Sequence, residues 1–180
     1  PVQMGNNLEI VWYKRDLRVE DHAPLARAAA SGAVIPLYIL EPELWRQPDM
    51  SRRHYEFIGE CLSELDADLA ALGQPLVLRV GDAVEVLSGL CAAHGVTRIR
   101  VHQETWSHWT YDRDRRVLAW ARAAGIEIVE DLQFGVHRRL STRRGWAGKW
   151  DRMMEQPVVP APARLHPVIV AVSYTHLRAH

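Results

Sequence analysis

Two short segments of the sequence concentrate the side chains that could bind a ligand. Residues 14–18 read KRDLR and carry three cations, whereas residues 103–110 carry Glu104 and two tryptophans, Trp106 and Trp109. Indole rings stack on flat ring systems and attract cations through their faces, and cations hold anionic groups. Together the two segments would suit a flat, anionic, conjugated ligand.

A purely structural role for the same residues stays open at this point. Asp16 could simply pair with Arg15 or Arg18. The two tryptophans could close one end of a sheet as packing residues. Spacing alone does not choose between ligand binding and packing.

A repeated order of amphipathic segments, glycines and apolar runs predicts how the two segments are positioned. Four times an amphipathic segment ends in glycine and a short apolar run follows, and a further apolar run opens the chain. Glycine suits the left-handed residue just past a helix, and short β-branched runs are typical of buried strands. We therefore predict an α/β fold, a Rossmann-like doubly wound parallel sheet of five strands in the order 3-2-1-4-5, with helices on both faces.

The predicted strands cover residues 8–13, 33–40, 75–80, 96–101 and 126–130. Ser51 and Asp82 are expected to cap two of the helices, and Asp112 or Asp114 to begin a third. Ligands of such sheets bind beyond the carboxyl ends of the strands, where the winding reverses. That point lies between the first and fourth strands, and the loops after those strands are the two segments described above.

Composition and missing motifs exclude several classes of protein. The 180 residues are 48% hydrophobic and 24% charged, which is typical of a soluble globular protein, and no eighteen-residue apolar run offers a membrane span. Two cysteines are too few for a disulfide framework or a zinc site, so we expect reduced thiols and a cytoplasmic location. Glycine-rich dinucleotide, P-loop and nucleophile-elbow motifs are absent.

We predict no metal site from the nine histidines. His102 and His108 flank the second segment, but no third ligand accompanies them in the sequence, so both are expected to be solvated loop residues.

The zero net charge is a sum of two unequal parts. Residues 1–131 carry 14 basic and 20 acidic side chains, a net of −6, whereas residues 132–180 carry 8 basic and 2 acidic side chains, a net of +6. Such an asymmetry marks a boundary between segments. We predict an α/β domain over residues 1–131, a basic, proline-containing connector over 132–165 and an unstructured tail over 166–180.

The opening of the chain resembles the start of the DNA photolyase and cryptochrome family. Residues 10–22 read IVWYKRDLRVEDH, against a family pattern of roughly W-F-R-R-D-L-R-L-x-D-N. Residues 36–42, 51–57, 81–82 and 111–117 also fit the family. The resemblance runs from about residue 8 to about residue 157 and is strongest to bacterial cryptochrome-like photolyases.

This resemblance implies the N-terminal α/β domain, which in the family holds or shelters an antenna chromophore. The family's catalytic cofactor, FAD, lies in a separate all-helical domain that follows in the chain and acts on pyrimidine dimers in UV-damaged DNA, or serves signalling in cryptochromes. We expect this sequence to lack that helical domain, its partner in cis. We therefore expect the chain by itself to lack FAD and repair activity.

For the antenna, the resemblance favours deazaflavin or flavin over folate. An Asn-Glu pair contacts the pterin in folate-binding members, and the aligned positions here are Trp109 and Thr110. The candidate chromophore-binding residues are Lys14, Arg15, Asp16, Arg18, Glu41, Arg52, Arg53, Glu104 and Trp106.

The basic tail resembles the start of the family's interdomain connection. Trp146, Trp150 and Met153 are spaced to share one face of a short amphipathic helix. The arginines of this segment either form a solvated surface or face the second domain and DNA, with Arg138, Arg139, Arg143 and Arg144 as candidates. Residues 173–180, SYTHLRAH, resemble a translated sequencing adapter and are expected to be an artefact.

Two other functions stay open from the sequence. A free-standing nucleotide-binding module of the HUP or universal-stress type shares the parallel sheet but normally has a glycine-rich phosphate loop. A non-binding interaction domain would use the tryptophan-rich loop to contact a partner.

Overall fold

The computed structural model describes residues 7–136, 138, 142 and 144–171. The strands are β1 (Leu8–Tyr13), β2 (Ala33–Leu40), β3 (Val77–Val80), β4 (Arg98–His102) and β5 (Glu127–Asp131). The helices are α1 (Ala23–Ser31), α2 (Pro42–Trp45), α3 (Arg52–Leu72), α4 (Ala83–His94), α5 (His108–Ala124) and α6 (Trp146–Met154). None of the described helices is long and apolar enough to cross a membrane.

The five strands form one parallel sheet in the order β3-β2-β1-β4-β5, which confirms the predicted fold. Side chains of β1 alternate between two cores because successive residues of a strand point to opposite faces. Ile10 and Trp12 belong to one buried cluster, and Val11 and Tyr13 belong to the other. Helices therefore cover both faces of the central strand.

Two predicted helix caps are present. The Asp82 carboxylate accepts hydrogen bonds from the backbone N–H groups of Val84 and Glu85 at 2.9 and 3.4 Å, and the Ser51 hydroxyl accepts one from His54 at 3.4 Å. These bonds satisfy N–H groups that have no partner within the helix.

The start of α5 differs from the prediction. The helix begins at His108, four residues before Asp112 and six before Asp114, because Ser107 and Thr110 form a reciprocal capping box. The expected start at Asp112 or Asp114 was therefore wrong. Arg113 and Asp114 therefore lie in the second turn of α5, where they are 3% and 6% exposed.

The connector forms the predicted short amphipathic helix, α6. Its Trp146 and Trp150 rings lie 5.5 Å apart between centroids. The Trp150 ring packs so closely on Gly135 that a Cβ at that position would lie 2.5 Å from the ring. The apolar face of α6 thus packs back toward the end of the α/β domain.

Residues 157–171, which we call the C-terminal strap, lie along the α/β domain. The backbone N–H of Leu165 donates to the Leu72 carbonyl at 2.6 Å, and the Leu165 side chain is buried at 4% exposure. The Val168 N–H donates to Gln74 Oε1 at 2.5 Å. Val168 and Val170 pack against the core, although we expected residues from 166 onward to be unstructured.

The physical reason for this difference is that buried and exposed side chains alternate along the strap. Val168 and Val170 turn toward the core, whereas Ile169 between them is 95% exposed, as in a strand lying on a surface. Residues 172–180, which include the suspected artefact, lie outside the described residues.

We predict that the strap contributes to stability through Leu165. Leu165→Ala is expected to lower the free energy of unfolding by about 3 kcal/mol, because it removes a buried side chain from a packed core. Ile169→Ala is the matched control and should have almost no effect. Urea unfolding followed by tryptophan fluorescence measures the free energy of unfolding of both variants. If Leu165→Ala changed it as little as Ile169→Ala, the packing of the strap against the α/β domain would be contradicted.

Candidate functional site

The carboxyl ends of β1, β2 and β4 meet at one edge of the sheet, where the two chemically rich segments lie side by side. Residues 14–18 follow β1 and residues 103–110 follow β4, and the two strands are paired. The prediction that these segments come together is confirmed. Beneath them lie two buried polar clusters, and beside them lies a cavity.

The first buried group, the Arg113 cluster, consists of Arg113, Glu41, Glu104, Asp114 and Lys14. Arg113 Nη1 donates to the Glu41 carboxylate, Nη2 to Glu104 Oε2 at 3.3 Å and Nε to Asp114 Oδ1 at 2.7 Å. Lys14 Nζ donates to the other Asp114 oxygen at 2.9 Å. The cluster ties together β1, β2, α5 and the loop after β4.

Aromatic rings complete the surroundings of these two cations. The Arg113 guanidinium carbon lies 4.8 Å from the centroid of Trp12 and 5.7 Å from that of Trp109. Lys14 Nζ lies 5.1 Å from the Trp12 centroid. The electron-rich ring faces stabilise the buried positive charge. Trp109 therefore belongs to the Arg113 cluster.

The cluster brings three carboxylates to two cations. Burial raises the pKa of Glu41 to about 7, and the Asp114 charge adds to this effect while Arg113 opposes it. Glu41 Oε1 is buried and has no hydrogen-bond partner. Glu41 is thus an ionisable group with one free oxygen at the base of the site.

Glu104 fixes the loop after β4. Its Oε1 accepts hydrogen bonds from the backbone N–H groups of Thr105 and Trp106 at 2.9 and 3.0 Å. The same oxygen lies 3.8 Å from Arg15 Nη2, and the Arg15 guanidinium lies 4.8 Å from the centroid of the Trp106 ring. Arg15 and Trp106 are therefore held together as one wall.

The second buried group, the Asp16 cluster, consists of Asp16, His22 and His102. Asp16 Oδ2 lies 2.6 Å from His22 Nε2 and 2.7 Å from His102 Nδ1, and Oδ1 accepts the Lys14 N–H at 2.9 Å. Burial alone would raise the pKa of Asp16, but hydrogen bonds from both histidines hold it well below its usual value. Neither Arg15 nor Arg18 pairs with Asp16; Arg18 instead donates to the carbonyls of Glu20 and Asp21.

The expectation that His102 is solvated was wrong, because it lies in β4 with 4% exposure. The partners of His102 were missed because Asp16 and His22 lie 86 and 80 residues before it in the sequence. His108 is exposed, as predicted.

The Asp16 cluster places three potential metal ligands within 4.8 Å of one another. The His22 ring, however, also caps α1, because His22 Nδ1 accepts the Leu25 N–H at 3.1 Å. An accepting Nδ1 leaves the ring proton on Nε2, which then donates to Asp16 instead of offering a lone pair. The cluster is thus assigned as a hydrogen-bonded anchor of the loop after β1.

A cavity of about 350 Å³, which we call the α2–α3 cavity, opens beside the Arg113 cluster. Its walls come from the loops after β1 and β4, from β2 and α2, and from the first turns of α3. The lining residues are Lys14, Arg15, Tyr38, Leu44, Trp45, Asp49, Met50, His54, Phe57, Ile58 and Trp106. Most of them are aromatic or apolar, with two cations at one side, which is typical of a site for a small planar molecule.

The sequence-predicted candidates divide into two groups. Lys14, Arg15 and Trp106 line the α2–α3 cavity, and Glu41 and Glu104 line a smaller hollow that shares wall residues with it. Asp16 and Arg18 lie away from the cavity and hold the loop after β1.

The arginines that head α3, Arg52 and Arg53, are exposed and do not line the cavity; Arg52 Nε donates to Glu56 at 2.6 Å. His54, Phe57 and Ile58 take their place. Sequence reasoning missed these three, although their spacing of three and four residues puts them on one face of a helix.

The basic candidates of the connector are also placed differently from one another. Arg138 Nε donates to the Glu104 carbonyl at 2.5 Å, and Nη1 donates to Glu130 at 3.3 Å, so this side chain is fixed to the α/β domain. Arg144 is exposed. Arg139 and Arg143 lie outside the described residues.

Comparison with known proteins gives consistent matches. The model of the DNA photolyase family matches residues 9–133. The deoxyribodipyrimidine photo-lyase of Salmonella typhimurium is 38% identical over 170 residues, covering 85% of this chain and 36% of the relative. Cryptochrome-1 of Sinapis alba is 31% identical over 178 residues, covering 92% of this chain and 35% of the relative.

Among solved structures, the archaeal photolyase of Sulfolobus tokodaii matches with a TM-score of 0.71 and 25% identity, over 91% of this chain and 38% of that one. That structure is described as containing two FAD molecules and as implying a novel light-harvesting cofactor.

We predict that Asp16 stabilises the fold from inside its cluster. Asp16→Asn is expected to lower the free energy of unfolding by about 3 kcal/mol at pH 7, because the buried histidine N–H groups lose a charged acceptor. Asp68→Asn, at an exposed position of α3, is the control. Chemical denaturation measures both, and a loss no larger than that of the control would contradict the buried anchor.

A second prediction concerns Glu41 and pH. Because the pKa is raised from 4.5 to about 7 in the folded chain, Glu41 favours the fold at low pH, and this contribution is lost as the pH rises through 7. Glu41→Gln cannot titrate, so its stability relative to the wild type should increase by about 3 kcal/mol between pH 4 and pH 8.

The control for this experiment is Glu43→Gln, since Glu43 is exposed on α2. The Glu41→Gln difference from the wild type should change with pH by far more than the Glu43→Gln difference in the same series of denaturation curves. If the two differences changed equally with pH, the raised pKa of Glu41 would be refuted.

Proposed function

The chain belongs to the DNA photolyase family, and we propose on that premise that its α2–α3 cavity binds a light-harvesting chromophore of the flavin or deazaflavin type. The chain corresponds to the N-terminal α/β domain of photolyases and cryptochromes and spans about a third of the length of the two curated relatives. Its relation to light, to DNA and to a second domain is therefore part of the proposal.

The single observation that carries this proposal is the composition of the cavity wall. Trp106 provides a partly exposed aromatic face, Arg15 lies against its ring, and Lys14 lines the same cavity. A planar ring system would stack on the indole, and the cations would neutralise an anionic ring or tail. The volume of about 350 Å³ is in the range of small-molecule sites.

The chain's own residues would orient the chromophore. The Arg113 cluster and the Asp16 cluster fix the two loops that carry Arg15 and Trp106, so a bound ring would have one orientation. When bound, the chromophore would absorb light and pass its excitation energy to the flavin of the complete protein. A fixed orientation favours such a transfer because the two chromophores keep one relative geometry.

Flavin or deazaflavin is preferred to folate because of the roles of Trp109 and Thr110. Trp109 lies against Arg113, and Thr110 is 1% exposed and takes part in the capping box of α5. Both positions that would correspond to the pterin-binding pair are therefore engaged in holding the fold.

For the complete protein we propose a light-dependent flavoprotein that carries FAD in a following helical domain. Its partner would be UV-damaged DNA if it is a deoxyribodipyrimidine photolyase, and it would be a photoreceptor if it is a cryptochrome. The exposed Arg144 remains a candidate for contacts with the second domain or with DNA, whereas the contacts of Arg138 favour a structural role.

Titration of the purified chain with FMN, a deazaflavin and a folate tests this proposal. We expect FMN or the deazaflavin to saturate one site with a change in fluorescence, and Trp106→Ala to weaken binding at least tenfold because the stacking face is lost. Trp146→Ala, on α6 outside the cavity, is the matched control and should bind as the wild type does.

Three outcomes would count against the proposal. If none of the chromophores bound, the domain would be structural. Binding of ATP in place of flavins would favour a nucleotide-binding module. Saturation by folate alone would refute the preference for a flavin-type ring.

A further inference from the structure

We propose that Glu41, which lines the narrow hollow beside the α2–α3 cavity, determines ligand specificity by accepting a hydrogen bond from the ring N–H of a cyclic imide. This inference rests on the proposed function and deepens it, since it names the chemical class of the ring. The imide edge, an N–H between two carbonyls, occurs in both flavins and deazaflavins. The cavity would then recognise this edge and not the ring's size alone.

The first observation is the unused oxygen of Glu41. The residue is 4% exposed, and only one of its oxygens, Oε2, is engaged, with Arg113. Oε1 is buried and has no partner. Buried polar atoms are nearly always hydrogen-bonded in proteins, so a free buried acceptor in a cavity wall needs an explanation.

The second observation is where Glu41 lies. Glu41 lines a narrow hollow of about 20 Å³ that shares five wall residues with the α2–α3 cavity, namely Lys14, Arg15, Tyr38, Leu44 and Trp106. The hollow is large enough for one water molecule or for the polar edge of a ring whose body occupies the larger cavity.

The third observation is the pair of unpartnered donors in the same walls. Tyr13 lines the narrow hollow and Trp45 lines the larger cavity, and both the Tyr13 hydroxyl and Trp45 Nε1 are buried without a partner. The residues that line the two cavities thus include one unpartnered acceptor and two unpartnered donors. An imide edge offers the complementary set, one donor between two acceptors.

The charges of the site favour an orientation of the ligand in which its imide edge faces Glu41. A phosphate or carboxylate entering the hollow would meet the Glu41 carboxyl and offer no hydrogen to it, because such groups are acceptors only when ionised. Lys14 and Arg15 lie where both cavities meet, and they can hold an anionic tail there. The imide edge therefore points toward Glu41 and the tail away from it.

The test compares two ligands that differ by one methyl group, lumiflavin and N3-methyllumiflavin. On the wild-type chain we expect lumiflavin to bind at least tenfold more tightly, because methylation removes the hydrogen bond to a charged acceptor. Since neither ligand carries a tail, the comparison isolates the ring edge. It also needs no variant, so folding of a mutant cannot obscure it.

Glu41→Gln should weaken lumiflavin binding about tenfold and leave N3-methyllumiflavin unchanged. The matched control is Glu43→Gln, which removes a carboxylate from exposed α2 and should change neither affinity. Calorimetry adds a second readout, the number of protons released on binding, which a purely structural role of Glu41 would not affect. Binding of lumiflavin to the wild type near pH 7 should release protons, because the bond fixes Glu41 as a carboxylate, and the Glu41→Gln variant should not show this release.

The possible failures are distinguishable. Equal affinities for the two flavins on the wild type would overturn the role of Glu41 and leave the proposed chromophore site intact; a water molecule would then be the partner of Oε1. Failure of both flavins to bind would overturn the proposed function itself, and this inference with it.

Discussion

The burial of the Arg113 guanidinium is the constraint on which the rest of the site depends. Removing a guanidinium from water is costly unless carboxylates and hydrogen bonds replace the water. Here Glu41 comes from the end of β2, Glu104 from the loop after β4 and Asp114 from α5 itself. Because a single cation requires all three, three separate elements of the α/β domain are fixed relative to one another at the edge where ligands of such sheets bind.

The placement of the cavity wall depends on the burial of Arg113. Glu104 uses its remaining oxygen to fix Thr105 and Trp106, while Asp16 holds the loop that carries Arg15 between α1 and β4. The stacked Arg15 and Trp106 are therefore placed by two buried clusters and not by contacts with each other alone. Glu41 links this constraint to the proposed function, since one of its oxygens stabilises Arg113, the other has no partner, and the residue lines the hollow beside the cavity.

The sequence was sufficient to predict the parts of the structure that depend on local patterns. Strand periodicity and C-terminal glycines predicted the sheet and its order, and local capping residues predicted the starts of α3 and α4. The start of α5 was mispredicted because Ser107 and Asp112 are both good caps, and only the Thr110 hydroxyl completes a reciprocal pair with Ser107.

The remaining errors concern partners that are distant in the sequence. His102 meets Asp16 across 86 positions, and Glu41 meets Arg113 across 72, so no local pattern indicates either contact. Arg52 and Arg53 were named from the family resemblance, whereas the cavity is lined on α3 by His54, Phe57 and Ile58. The strap was missed because its few buried side chains alternate with exposed ones, and such a short segment resembles an ordinary tail.

Titration of the ¹⁵N-labelled chain with lumiflavin, observed through the indole N–H resonances of its tryptophans, tests the chromophore site most directly. Trp45 and Trp106 line the cavity, whereas Trp146 and Trp150 lie on α6 and serve as internal references. The Trp45 and Trp106 resonances are expected to shift and saturate together, because the ring would stack on the Trp106 indole and a ring carbonyl would accept a hydrogen bond from Trp45 Nε1. A chromophore site in this cavity would be contradicted if the Trp45 and Trp106 resonances did not change at saturating ligand. It would also be contradicted if the Trp146 and Trp150 resonances shifted as much as those of Trp45 and Trp106.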